Sequence, residues 1–130
     1  MLGGDDSDFE ILSAGEPTDF MGQHHPRIDG DTVTVFDNRD AGQARTLALT
    51  LDPALGTAEV SLVHPLEETC SIQGANYPLP SGNVLVTGGE KMHIREITPE
   101  HETVWELNVE GAAAGFIARG IPMVDAPPTW

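Results

Sequence analysis

Two adjacent histidines, His24 and His25, are the residues of this chain best suited to chemistry near neutral pH. At that pH a neutral imidazole can act as a nucleophile or take a proton from a hydroxyl group. Neighbouring residues of a strand point to opposite faces, so only one of the two can line a given surface. Arg27 is expected to share the face of His25, where its planar guanidinium can bind an oxyanion through paired hydrogen bonds.

Five further polar residues are candidates for contacting an anionic substrate. Asn38 and Arg39 follow a strand-like run, where a loop can bend back towards the same surface, although solvated turn residues are the commoner outcome. Gln73 and Asn76 lie in a later strand-like run and can donate amide hydrogens to an anion. Arg119 lies in the last strand-like segment and can do the same.

The sequence predicts neither a metal site nor a bound cofactor. Adjacent histidines of a regular strand cannot chelate one ion, and Asp29-Gly30-Asp31 is only a fragment of a calcium loop. The other histidines are expected to be structural or solvated, in an outer loop, a mid-sheet strand and an exposed turn: His64, His93 and His101.

Composition narrows the range of partners. The formal net charge of the 130-residue chain is -15, so nucleic acid and anionic membrane surfaces are not expected to bind it. The scattered acidic residues have two interpretations. They can reflect adaptation to high salt or the bias of a GC-rich genome, or they can form a cation-binding surface. Cys70 is the one cysteine, which excludes an internal disulfide, and the first residues do not resemble a signal peptide.

The pattern of the chain is that of strands without helices. Leu47, Leu49 and Leu51 alternate with other residues, which predicts a strand with one buried face. Six antiparallel strands are predicted with turn residues between them, at residues 32–37, 45–51, 57–63, 84–88, 92–97 and 103–109. Two inner strands are expected near residues 24–28 and 73–79.

These strands recur as a unit of about 40 to 50 residues, which is typical of the four-stranded blades of a β-propeller. Gln73 then corresponds to Gln23 one unit earlier. We therefore predict an all-β chain of about two four-stranded antiparallel blades, at residues 22–64 and 72–110, with partial blade elements at 1–21 and 111–130. Two blades form an incomplete ring, so remaining propeller blades or self-association are expected to cover the open faces.

Several runs, taken in order, resemble the C-terminal part of arylsulfotransferase-family proteins over about residues 2 to 122. The similarity includes a Gln-His pair opening an inner strand, a Phe-Asp-Asn run after it, and later Leu-Pro-x-Gly-Asn and Thr-Pro-Glu runs. In this chain those runs lie at residues 2–4, 7–9, 20–24, 36–39, 79–86, 96–100 and 104–106. The family's Gln-His-Asp is Gln23-His24-His25 here.

The resemblance implies transfer of a sulfuryl group between phenolic compounds without a nucleotide donor, with an aryl sulfate or phenol as the partner molecule. Only His24 is carried over from the resemblance, as a residue of the central channel, and we predict that it is catalytic. From their types and positions, six other polar residues are predicted to bind the substrate: Arg27, Asn38, Arg39, Gln73, Asn76 and Arg119. It also allows a periplasmic or extracellular location. We expect this chain alone to be catalytically incomplete; the alternative function is a non-enzymatic β-propeller binding scaffold.

Overall fold

The computed structural model describes residues 1–3, 5–13, 20–39, 43–66 and 68–110. Arg119 and the partial blade element predicted at 111–130 lie outside these residues. Nine strands are present and no helix occurs in the described ranges: β1 (Glu10–Leu12), β2 (His24–Asp29), β3 (Thr32–Asp37), β4 (Arg45–Asp52), β5 (Thr57–Pro65), β6 (Ala75–Pro78), β7 (Val84–Thr87), β8 (His93–Ile97) and β9 (Thr103–Asn108). Within the same ranges, no helix has the length and apolar character needed to cross a membrane.

The strands form two sheets, and each contains four consecutive antiparallel strands. The first sheet has the order β1-β5-β4-β3-β2, and the second has the order β6-β7-β8-β9. The all-β fold is confirmed, and the two open sheets are consistent with incomplete propeller blades. The six predicted strands are found within two residues of their expected ends.

The N-terminal segment adds two features to the first sheet. Strand β1 pairs in parallel with β5, which makes this sheet five-stranded where four strands were predicted. Apolar residues of the same segment also pack against the buried face of β3 and β4: Leu2, Phe9, Ile11 and Phe20. The alternating leucines of β4 therefore face a surface that the chain covers itself, with Leu47 and Leu49 fully buried.

The two sheets pack on each other through a second apolar cluster. Phe36 of β3 is fully buried there with Val84, Val86 and Ile97 of the second sheet. Gly74 makes this contact possible, because a Cβ atom at that position would lie 2.6 Å from Phe36 Cδ1. The backbone of Gly74 also has a φ of +111°, which favours glycine.

The inner strands are less regular than expected, and one expectation about them is wrong. The chain bulges between His24 and Arg27, and His25 has a φ of +51°, so the simple alternation of side chains does not hold there. Gln73 was expected within the second inner strand, but β6 begins at Ala75. Gln73 has a φ of +60° and belongs to the turn that leads into the strand.

Candidate functional site

His24 begins the innermost strand of the first sheet, and its ring is held by two oxygen atoms. Its Nδ1 lies 2.7 Å from Asn38 Oδ1 and 2.9 Å from the carbonyl oxygen of Gly22. Asn38 follows β3, whose Phe36 is the register partner of His24. The antiparallel pairing of β2 and β3 thus brings together two residues that are 14 positions apart.

The partners of this ring define where its proton lies. Carbonyl oxygens accept hydrogen bonds, so Nδ1 must be the donor in both contacts. In the neutral ring the lone pair is then on Nε2. A histidine held in this way can use Nε2 as a nucleophile or as a proton acceptor.

Asn38 is itself fixed by backbone groups of the segment that connects the two sheets. It is 4% exposed, and its Nδ2 donates to the carbonyl oxygens of Cys70, at 2.6 Å, and Gln73, at 2.9 Å. The Cys70 thiol contacts carbonyl oxygens of the same region, with Sγ 3.2 Å from Gly88 O and 3.4 Å from Ile72 O. Burial raises the pKa of this thiol, so Cys70 is a protonated donor near neutral pH.

A buried ion pair supports the turn that carries Asn38 and Arg39. Asp37 Oδ2 accepts a hydrogen bond of 2.8 Å from Arg45 Nε, and both side chains are almost completely buried. The other carboxylate oxygen accepts the backbone N–H groups of Met21, at 2.9 Å, and Arg39, at 3.2 Å. Asp37 therefore connects the turn after β3 with the segment that leads into His24.

Arg27 and His25 both contact Tyr77 of the second sheet. The guanidinium carbon of Arg27 lies 4.7 Å from the centre of the Tyr77 ring, and the ring centres of His25 and Tyr77 are 4.6 Å apart.

Arg27 also lines an open groove of about 190 Å³ with Asp29, Thr32, Thr34 and Pro78. The Thr34 hydroxyl is buried without a hydrogen-bond partner among the described residues. The groove thus offers the guanidinium of Arg27 and two threonine hydroxyl groups to a ligand, beside the carboxylate of Asp29.

The two candidate amides of the second sheet have different surroundings. Asn76 is almost fully buried in β6, and its Nδ2 donates to Val35 O at 2.9 Å. This bond joins β6, the inner strand of the second sheet, to β3 of the first sheet. Gln73 reaches the His24 neighbourhood through its backbone carbonyl, which accepts from Asn38. The structure therefore brings His24, Asn38 and Gln73 into one hydrogen-bonded group and places Asn76 in the contact between the sheets.

Sequence reasoning missed a contact between two histidines at the other end of the interface between the sheets. His64, expected in an outer loop, lies in β5 and is fully buried. Its Nδ1 is 2.6 Å from Nδ1 of His101, which lies in the turn between β8 and β9. Burial, together with the nearby His101, lowers the pKa of His64.

His93 also has a structural environment, in agreement with its expected role. It is buried in β8, with Nε2 at 3.0 Å from Glu68 Oε1. Arg95 Nη1 lies 3.4 Å from the same oxygen. In the described part of the chain, no three His, Cys, Asp or Glu side chains come close enough together to hold a metal ion.

The ion pair of Asp37 and Arg45 and the ring of Tyr77 are the other features of the site that sequence reasoning missed. The sequence did draw attention to Asp37, because this residue lies in the Phe36-Asp37-Asn38-Arg39 run that resembles the family. Its partner Arg45 is eight residues away in the sequence, and no local pattern predicts a contact between the two.

Comparison with known proteins supplies the family. Searches of curated proteins and of solved structures returned no significant match. The family model described as Arylsulfotransferase (ASST) matches residues 1–110, which include both sheets and the hydrogen-bonded group around His24. The chain belongs to the arylsulfotransferase (ASST) family.

Proposed function

We propose that this chain is part of a protein that transfers a sulfuryl group from an aryl sulfate to a phenol without a nucleotide donor. Family membership supports the reaction class. The observation that carries the proposal is the contact of His24 Nδ1 with Asn38 Oδ1, because it leaves Nε2 as the reactive nitrogen.

The chemistry requires two events at the sulfate. The bond between sulfur and the donor's aryl oxygen breaks, and the donor leaves as a phenolate with the bonding electron pair. A new bond forms between sulfur and the acceptor's phenolic oxygen, whose proton must be removed. His24 Nε2 can take that proton, or it can bind sulfur first and pass the sulfuryl group on to the acceptor.

The negative charge on the sulfate oxygens must also be stabilised, and we assign this role to Arg27. It lies on the same strand as His24, and its guanidinium lines the open groove. Cations and hydrogen-bond donors that face developing charge are usually the largest contribution to catalysis of this type. Arg39 belongs to the turn that also carries Asn38, and we place it with Arg27 in the same substrate-binding role.

The test is a transfer assay with 4-nitrophenyl sulfate as donor and phenol as acceptor, with no nucleotide present. It uses the full-length protein of which we expect this chain to be a part, because we expect the chain alone to lack part of the site. The proposal predicts 4-nitrophenolate release that depends on phenol, together with formation of phenyl sulfate. Absence of release across a panel of aryl sulfates by the folded protein contradicts it and favours the binding scaffold.

A further inference from the structure

We infer that Asn38 is a positioning residue that keeps the proton of His24 on Nδ1 and so directs the lone pair of Nε2 to the substrate. The inference rests on the proposed role of His24. It adds the group that determines which ring nitrogen can react.

The orientation of the Asn38 amide follows from its two backbone partners. Its NH₂ group faces the carbonyl oxygens of Cys70 and Gln73, which can only accept hydrogen bonds. The reversed amide would place Oδ1 against both oxygens and leave buried acceptors without donors. At 4% exposure, water has little access to compensate for that loss. Oδ1 must therefore face His24.

His24 then has a single favourable neutral form. Asn38 Oδ1, at 2.7 Å, is the closer of the two acceptors at Nδ1, and its contact with the ring is partly buried. The second acceptor, Gly22 O, is at 2.9 Å in an exposed position, where water competes for it. A histidine with its proton on the wrong nitrogen cannot act as a base or nucleophile through the nitrogen that faces the substrate.

The same bonds make the site depend on both sheets. Asn38 belongs to the turn after β3, whereas Cys70 and Gln73 belong to the segment that precedes β6. The first sheet thus supplies the histidine and the amide, and the segment entering the second sheet orients that amide.

The direct test is nuclear magnetic resonance of the imidazole nitrogens in this chain with ¹⁵N-labelled histidine, at a pH where the ring is neutral. The signals of His24 are identified by their loss in His24→Gln. We expect Nδ1 to have the chemical shift of a protonated nitrogen and Nε2 that of an unprotonated one. A proton on Nε2 in the parent chain overturns the inference without any further variant.

Asn38→Ala should move both nitrogen signals towards a mixture of the two neutral forms. The matched control is Asn76→Ala, which removes another buried asparagine whose Nδ2 donates to a backbone carbonyl. The control should leave the His24 signals unchanged, because Asn76 bonds to Val35. Should Asn38→Ala fail to fold, the parent spectrum still decides, since slow exchange of the Nδ1 proton supports its shielding by Asn38 and rapid exchange contradicts it.

The second readout is the rate of sulfuryl transfer by the full-length protein. We expect Asn38→Ala to lower kcat by roughly tenfold to a hundredfold, with a smaller change in KM, as for groups that orient a reactive side chain. If Asn38→Ala changes neither the nitrogen signals nor the rate, Gly22 O is the group that holds the proton on Nδ1, and the inference is overturned. If the signals change but the parent protein transfers no sulfuryl group, the proposed function fails and the control of the ring by Asn38 stands.

Discussion

Single residues at the site are held mainly by backbone groups. Asn38 bonds to two carbonyl oxygens, Asp37 accepts two backbone N–H groups, and the Cys70 thiol faces several carbonyls. Buried polar groups are costly without partners, so each of these bonds restricts the orientation of its side chain. The position of His24 then follows from its neighbours more than from its own place in the strand.

Gly74 allows a prediction at this scale. In Gly74→Ala the new Cβ would overlap the buried Phe36 ring, and the positive φ would add backbone strain. We expect the free energy of unfolding to fall by about 2 to 4 kcal/mol, from overpacking and strain together. Urea unfolding followed by circular dichroism measures it.

The matched control is Gly82→Ala, where φ is +89° and no atom lies within 4 Å of the new Cβ. This variant isolates the backbone term, and we expect it to lose only about 1 kcal/mol. Equal losses in the two variants would mean that the contact of Phe36 with Gly74 contributes nothing to the packing of the two sheets.

Strands were predictable from the sequence, but their irregularities were not. The alternation of Leu47, Leu49 and Leu51 predicts a single buried face for β4, but this is wrong for the first part of the strand, where both faces are buried from Arg45 to Leu49. The bulge after His24 left no signal, since His25 adopts a left-handed conformation that usually indicates glycine. His64 and His101 are 37 positions apart, and the local pattern of neither residue predicts a contact of that separation.

The contact between His64 and His101 gives the two sheets a pH-dependent connection. The pKa of His64 in the folded chain is lowered below its ordinary value of 6.5, so the unfolded chain binds a proton more readily. The contribution of His64 to the free energy of unfolding is therefore fully present above pH 6.5. It should be lost progressively as the pH falls through 6.5 towards the pKa of the folded chain.

Urea unfolding between about pH 5 and 7 tests this connection. His64→Gln should flatten the pH dependence in that range, because it removes the group with the lowered pKa. His93→Gln is the matched control, since it also replaces a buried histidine of a mid-sheet strand. If the parent and His64→Gln lose stability in parallel as the pH falls, the two-histidine contact is not the origin of the effect.

At the scale of the whole molecule, the two outer faces differ. The first sheet is covered by the N-terminal segment, whereas β9 at the edge of the second sheet has exposed apolar side chains. Val104, Trp105, Leu107 and Val109 are each between 44% and 55% exposed. Trp105 and Leu107 share one face of β9, and exposed apolar side chains on an edge strand are typical of an interaction site, so we expect a further blade or a second copy to cover them.

This surface predicts that the isolated chain self-associates. Because the net charge of -15 opposes contact between copies, association should increase when salt screens the charge. The double variant Trp105→Thr with Leu107→Thr should reduce it, since threonine keeps the β propensity and removes apolar area. Sedimentation velocity at low and high salt measures the effect.

Ile28→Thr is the control for association, because Ile28 is 75% exposed on a different strand. Isolated exposed apolar residues are common on soluble proteins, so this variant should associate like the parent. A parent chain that stays monomeric at every salt and protein concentration would contradict the prediction.

The central claim is that His24 takes part in sulfuryl transfer through Nε2. Its most direct test is the rate of sulfuryl transfer by the His24→Ala variant of the full-length protein, with folding checked by circular dichroism. The control is His101→Ala, which removes a histidine outside the hydrogen-bonded group around His24. Loss of one stabilising contact typically costs on the order of a hundredfold in rate, and loss of a nucleophile costs more. We predict at least that loss for His24→Ala, with His101→Ala close to the parent. A folded His24→Ala protein that transfers sulfate as fast as the parent would contradict the claim.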